Sequence, residues 1–156
     1  MLFLIKYFTI TVCSIYIYHK FLNLTYKTKE LLLSLIFSLF VTCMAEIVNS
    51  YHSSISIILI VFSLITYYVT LNTFSLETNI TTTLLSFAIS YISFSFACLI
   101  VALLSSSFLP YLTSNLNLSL LIAAIIQIIT SPFLFYPKRL RKGMPFLING
   151  SYCLTL

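Results

Sequence analysis

Five long apolar runs separated by short polar links set the pattern of this chain. The runs cover residues 2–18, 31–48, 55–73, 81–108 and 116–136. At about 1.5 Å per residue, runs of this size are near the length a helix needs to cross roughly 30 Å of hydrocarbon. The fourth is longer than that, which predicts tilt or an overhang at one end. The links at 19–30, 49–54, 74–80 and 109–115 carry the polar residues and supply the turns. Pro132, near the end of the fifth run, lacks a backbone donor and is expected to kink its helix. The first run holds Lys6 inside it and ends in Tyr-Ile-Tyr-His-Lys. A cleavable leader would place its charge first and end in small residues, so this run is read as an uncleaved helix. The expected fold is all-α, one polytopic transmembrane domain over residues 1–156 with five helices and a short C-terminal tail.

Composition turns that pattern into a membrane reading. The 156 residues are 60% hydrophobic and 7% charged, with a mean hydropathy of +1.09, against about 25% charged in a typical soluble domain. The net charge of +5 sits mainly in two clusters. One is the 19–30 link with Lys20, Lys27 and Lys29. The other is the basic segment 138–146, KRLRKGMPF, with Lys138, Arg139, Arg141 and Lys142. Links 49–54 and 109–115 contain no Lys or Arg. Basic loops stay in the cytoplasm, which predicts a cell-membrane protein with its N-terminus outside and its basic C-terminal segment inside. The 74–80 link then lies inside without a basic residue. A five-residue basic cluster tethered to a membrane fits anionic lipid headgroups, so the lipid bilayer is an expected partner and nucleic acid is not.

The polar residues offer little catalytic chemistry. Cys13, Cys43, Cys98 and Cys153 show no metal or redox spacing and are read as small hydrophobes. The chain has no Asp, and His19 and His52 fall on opposite sides of the membrane in this topology, so they cannot share a metal. Neither an enzyme nor a cofactor is expected. Ionisable residues within a span are functional candidates because burying an unpaired charge is costly. Lys6 and Glu46, at similar depth on neighbouring helices, either pair or reach separately to the outer interface. Glu46, Tyr51 and His52, with Tyr111 and Asn115 of the other outer link, form the candidate ligand-binding rim. The alternative is an interfacial belt, where tyrosines are common. Gln127, in mid-span, needs a hydrogen-bond partner on another helix. Ser86, Ser90, Ser93 and Ala97 recur at steps of four, three and four, a small-residue strip that permits close helix approach, although a serine-rich chain produces such spacing by chance as well.

An apolar helix ending in Phe135, then Lys138-Arg139, further basic residues, Gly143, and Pro145-Phe146-Leu147 resembles the membrane sensor region of GHKL-type sensor histidine kinases of Gram-positive bacteria. That group includes the accessory gene regulator peptide-pheromone receptor. The likeness covers the whole chain in hydropathy and residues 135–147 in detail. It implies an extracellular peptide ligand, a homodimer and a role in two-component quorum sensing. The segment with Lys138, Arg139, Arg141, Lys142, Gly143 and Pro145 would then couple the membrane domain to the interior. The phosphoacceptor helix, asparagine box and ATP lid of such kinases do not follow, so the expectation is a truncated or split product, with residues 147–156 opening a sixth helix. A small transporter, an accessory membrane subunit and a non-functional remnant are the competing readings.

Overall fold

A computed structural model describes residues 2–24, 28–49, 53–71, 74–107 and 116–136, and among these there is no strand. Among the described residues five α-helices occur in chain order: α1 Leu2–Phe21, α2 Thr28–Asn49, α3 Ser53–Thr70, α4 Leu76–Ser107 and α5 Leu116–Thr130, followed by a 3₁₀ turn at Ser131–Phe135. Three helices contain stretches long and apolar enough to cross a membrane, Leu32–Asn49, Leu76–Ser105 and Leu116–Phe135, and Ile55–Thr70 is a shorter apolar helix.

The ends of these helices follow local chemistry that run lengths alone do not capture. Helix α1 continues through His19 and Lys20 to Phe21. It stops where Asn23 takes a left-handed conformation, φ 52°. There the Asn23 N–H donates to the Lys20 carbonyl (3.2 Å) and the Leu24 N–H to the His19 carbonyl (2.9 Å). That pair of bonds satisfies the last carbonyls of the helix in the Schellman manner, with Asn serving where Gly is commoner. Helix α4 begins five residues before the expected residue 81. The Ser75 hydroxyl accepts from the Thr78 N–H at 3.4 Å and lies 2.8 Å from the Thr78 hydroxyl, an N-cap that draws Glu77 and Asn79 out of the link and into the helix. Helix α3 runs from Ser53 to Thr70, shorter at its C-terminal end than the expected 73.

Where a kink was expected at Pro132, the α-helix ends. The α-helix ends at Thr130 and the chain tightens into the 3₁₀ turn with Pro132 in its first positions. Proline cannot donate to the carbonyl four residues back. The Ser131 hydroxyl donates to that carbonyl, Ile128 O, at 3.1 Å.

Helix α1 is the centre of the bundle. Tyr7, Thr9, Ile10, Thr11, Cys13, Ser14, Ile15, Ile17 and Tyr18 are all buried. At 100° per residue these positions cover about two thirds of the circumference, and half-buried Phe8, Val12 and Tyr16 occupy the remaining arc, the pattern of a helix enclosed on most of its sides. It packs against α2, α4 and α5, and α2, α3, α4 and α5 pack on one another in chain order.

The arrangement is apolar outside and hydroxylic inside. Phe40 (62% exposed), Phe62 (66%), Phe96 (63%) and Ile128 (53%) face outward, whereas Ser14, Ser38, Thr42, Ser56, Thr83, Ser86, Ser90 and Gln127 are buried. Many of these hydroxyls bond within their own helix: Thr11 to Tyr7 O at 2.7 Å, Thr42 to Ser38 O at 2.8 Å and Thr83 to Asn79 O at 2.6 Å. Such back-bonding meets their needs without water.

Candidate functional site

The strongest concentration of polar chemistry is a seam along α1 and α4. The Ser14 and Ser86 hydroxyls lie 3.2 Å apart, either able to donate. One turn along, the Ser90 hydroxyl donates to the Ile10 carbonyl at 2.7 Å. The two contacts advance in opposite directions along the chain, so the helices are antiparallel. Serine at both places leaves room for the backbones to approach. Ser86, Ser90 and Ala97 of the small-residue strip are buried, and Ser93 is half-buried. With this register the first residue of α1 lies opposite about residue 98, so α4 extends roughly 13 Å beyond it.

Gln127 ties a third helix into the seam. Its Nε2 donates to the Ser90 carbonyl at 2.9 Å and to the Ser90 hydroxyl at 3.0 Å. The residue is fully buried, and the partner its mid-span position called for is on α4. Ser90 is thus a junction of α1, α4 and α5.

At the other end of the seam a second junction joins α1, α3 and α4. The Tyr18 hydroxyl donates to Asn79 Oδ1 at 2.6 Å, and Asn79 Nδ2 donates to the Phe74 carbonyl at 3.1 Å and the Tyr68 carbonyl at 3.4 Å. The rings of Tyr18 and Tyr68 stack with centroids 3.5 Å apart and planes 15° apart. Tyr67 stacks on Phe37 of α2 at 4.5 Å. His19 meets Tyr68 edge-on at 6.1 Å. Asn79 was read from the sequence as part of a link. The signal that places it in the core is the spacing itself: Asn79, Thr83, Ser86 and Ser90 repeat at four, three and four, which carries the strip backward through the supposed link.

Of the candidate rim residues only Glu46 falls among the described residues. It is half-buried, three residues from the end of α2. Tyr51, His52, Tyr111 and Asn115 lie outside the described residues, as do Lys138, Arg139, Arg141, Lys142, Gly143 and Pro145. Lys6 is half-buried, and its partners are aromatic: the ammonium stands 5.0 Å from the ring centroid of Tyr7 and 5.1 Å from that of Tyr91 on α4. Among the described residues no three of His, Cys, Asp and Glu come together as a metal site. Chemically, the arrangement can hold helices in register and sets the Lys6 ammonium between two aromatic rings. Compared with protein-family models, curated proteins and solved structures, the chain gives no match.

Proposed function

We propose that the chain is an integral membrane protein of five spans, with α1 as the enclosed central helix, its N-terminus outside and the basic segment 138–146 in the cytoplasm. The observation that carries this reading is the inverted distribution of side chains: large apolar residues cover the outside of α2 to α5 while hydroxyls and Gln127 are buried. In water such a surface would drive association. In lipid it is the expected face, and polar side chains turn inward to bond across helices.

Within that membrane reading, the function we propose is a signal-receptor domain of the kind found in peptide-pheromone sensor kinases. The resemblance over residues 135–147 supports it. Ligand engagement at the outer end would shift the packing of α1 and α4, and the basic segment would transmit the shift. Two measurements test the two halves. Alkaline carbonate extraction is expected to leave the protein in the membrane pellet; release into the supernatant removes the membrane reading. The genomic frame after the Leu156 codon is expected to lead, directly or beyond an interruption, into a kinase module. Unrelated sequence there removes the receptor reading. A small transporter is the second reading, favoured by the line of buried polar side chains from Asn79 to Ser90; solute uptake by proteoliposomes of the purified protein would replace the receptor reading with it.

A further inference from the structure

Among the described residues the charged side chains fall at two levels of the bundle. On α1, Lys6 and Lys20 are fourteen residues apart, and on α2, Glu30 and Glu46 are sixteen apart. On α4, Glu77 is about seventeen residues from the position that the α1–α4 register sets opposite Lys6. At about 1.5 Å per residue these separations are about 21, 24 and 26 Å. Long side chains reach further toward their own ends, which brings the charges to the two faces of a hydrocarbon layer about 30 Å thick. Lys6 and Glu46 stand at one face, and Lys20, Lys29, Glu30 and Glu77 at the other.

Lys6 has no carboxylate partner at its level. The chain's three acidic side chains are Glu30, Glu46 and Glu77. The first and last belong to the other face, and the Lys6 ammonium lies not on Glu46 but over the Tyr7 and Tyr91 rings, at 5.0 and 5.1 Å. Aromatic faces attract a cation through their quadrupole but carry no net charge, so the position favours an anion. Half-buried Tyr91 borders an open face of α4, where Leu84, Ala88, Ile92 and Ser95 follow at steps of four, four and three and are all exposed. From Ser95, level with Lys6, down to Leu84 that face runs about 17 Å, close to half of a hydrocarbon layer of about 30 Å. That is the depth of one leaflet, and the anion that arrives with acyl chains is a headgroup phosphate.

We propose that Lys6, held over the Tyr91 ring, binds the phosphate of a phospholipid whose acyl chains lie along Ile92, Ala88 and Leu84 of α4. The ammonium donates charge-assisted hydrogen bonds to the phosphate oxygens, and the apolar face receives the chains. The lipid belongs to the leaflet at the start of α1. This site rests on the membrane reading and on nothing in the receptor reading.

The test uses the full chain with isotopically labelled lysine side-chain nitrogens, reconstituted in phosphatidylglycerol bilayers. Rotational-echo double-resonance NMR reads the loss of each nitrogen signal to nearby phosphorus. The Lys6 signal is the one missing from Lys6→Gln. It is expected to lose intensity in phosphatidylglycerol, and to keep it in a phosphate-free galactolipid with inorganic phosphate in the buffer. Full Lys6 intensity in phosphatidylglycerol overturns the site, and an equal loss with inorganic phosphate overturns the lipid as its source. Tyr91→Leu is expected to reduce the loss. An unchanged loss there also overturns the site, since any lysine at this depth would then do the same. Helical circular dichroism of each variant separates loss of contact from loss of fold. Carbonate extraction judges the membrane reading independently: protein that stays in the pellet while Lys6 keeps its full signal leaves the membrane reading standing and the site refuted.

Discussion

Replacing Ser90 by leucine should lower the stability of the bundle by about 3 kcal/mol, whereas Ser90→Ala should lower it by about 1 kcal/mol. The difference isolates two effects at one position. Ser90 is fully buried, its hydroxyl donates to the Ile10 carbonyl and it accepts from Gln127. Alanine removes the hydroxyl and keeps the close approach of α1 and α4. On the proposed membrane reading, the loss is that of interhelical hydrogen bonds in lipid, about 0.6 kcal/mol each on average and up to about 1.7. Leucine adds volume where the backbones are closest, and overpacking of this kind costs about 1–3 kcal/mol more. Controlled unfolding in mixed micelles with sodium dodecyl sulfate measures both. Leucine tolerated as well as alanine would mean that the helices do not meet at Ser90.

At the second junction, Asn79→Leu should cost about 2–4 kcal/mol. The substitution is close in volume, so packing changes little. It leaves the fully buried Tyr18 hydroxyl without its acceptor and the Phe74 carbonyl without its side-chain donor. Each stranded buried group costs about 1–3 kcal/mol. Tyr18→Phe removes one of the stranded groups in advance, so the double variant should be less destabilised than the sum of the two singles. The same unfolding assay measures the coupling, and strict additivity would show that the hydroxyl and the amide do not interact.

The sequence reading reached the elements more easily than the site. Apolar run length located all five helices, because spans of continuous Ile, Leu and Phe leave little doubt about where a helix lies. It misplaced ends wherever a polar residue belongs to the helix as a cap or an interior contact. Ser75 and Asn79 look like a link by composition, yet one caps α4 and the other sits in its core. Gln127 and the serine strip were legible because a polar side chain in an apolar run must turn inward. The central position of α1 was not legible. Its apolar content resembles that of its neighbours, and only the burial of most of its circumference distinguishes it. The aromatic surroundings of Lys6 were hidden for a related reason: the contact to Tyr91 joins residues far apart in the chain, and only the antiparallel register of α1 and α4 brings them together.

The central claim is that lipid surrounds α2 to α5 while α1 is enclosed. Single nitroxide labels test it most directly, placed at Phe40, Phe62, Phe96, Ile128, Ile15 and Ile17 in reconstituted protein whose native cysteines have been replaced by alanine. Labels at Phe40, Phe62, Phe96 and Ile128 should relax strongly with oxygen, which concentrates in lipid, and weakly with a water-soluble nickel complex. Labels at Ile15 and Ile17 should respond weakly to both. Nickel access at Phe62 and Phe96, or oxygen access at Ile15 and Ile17 equal to that at Phe62, would contradict the account.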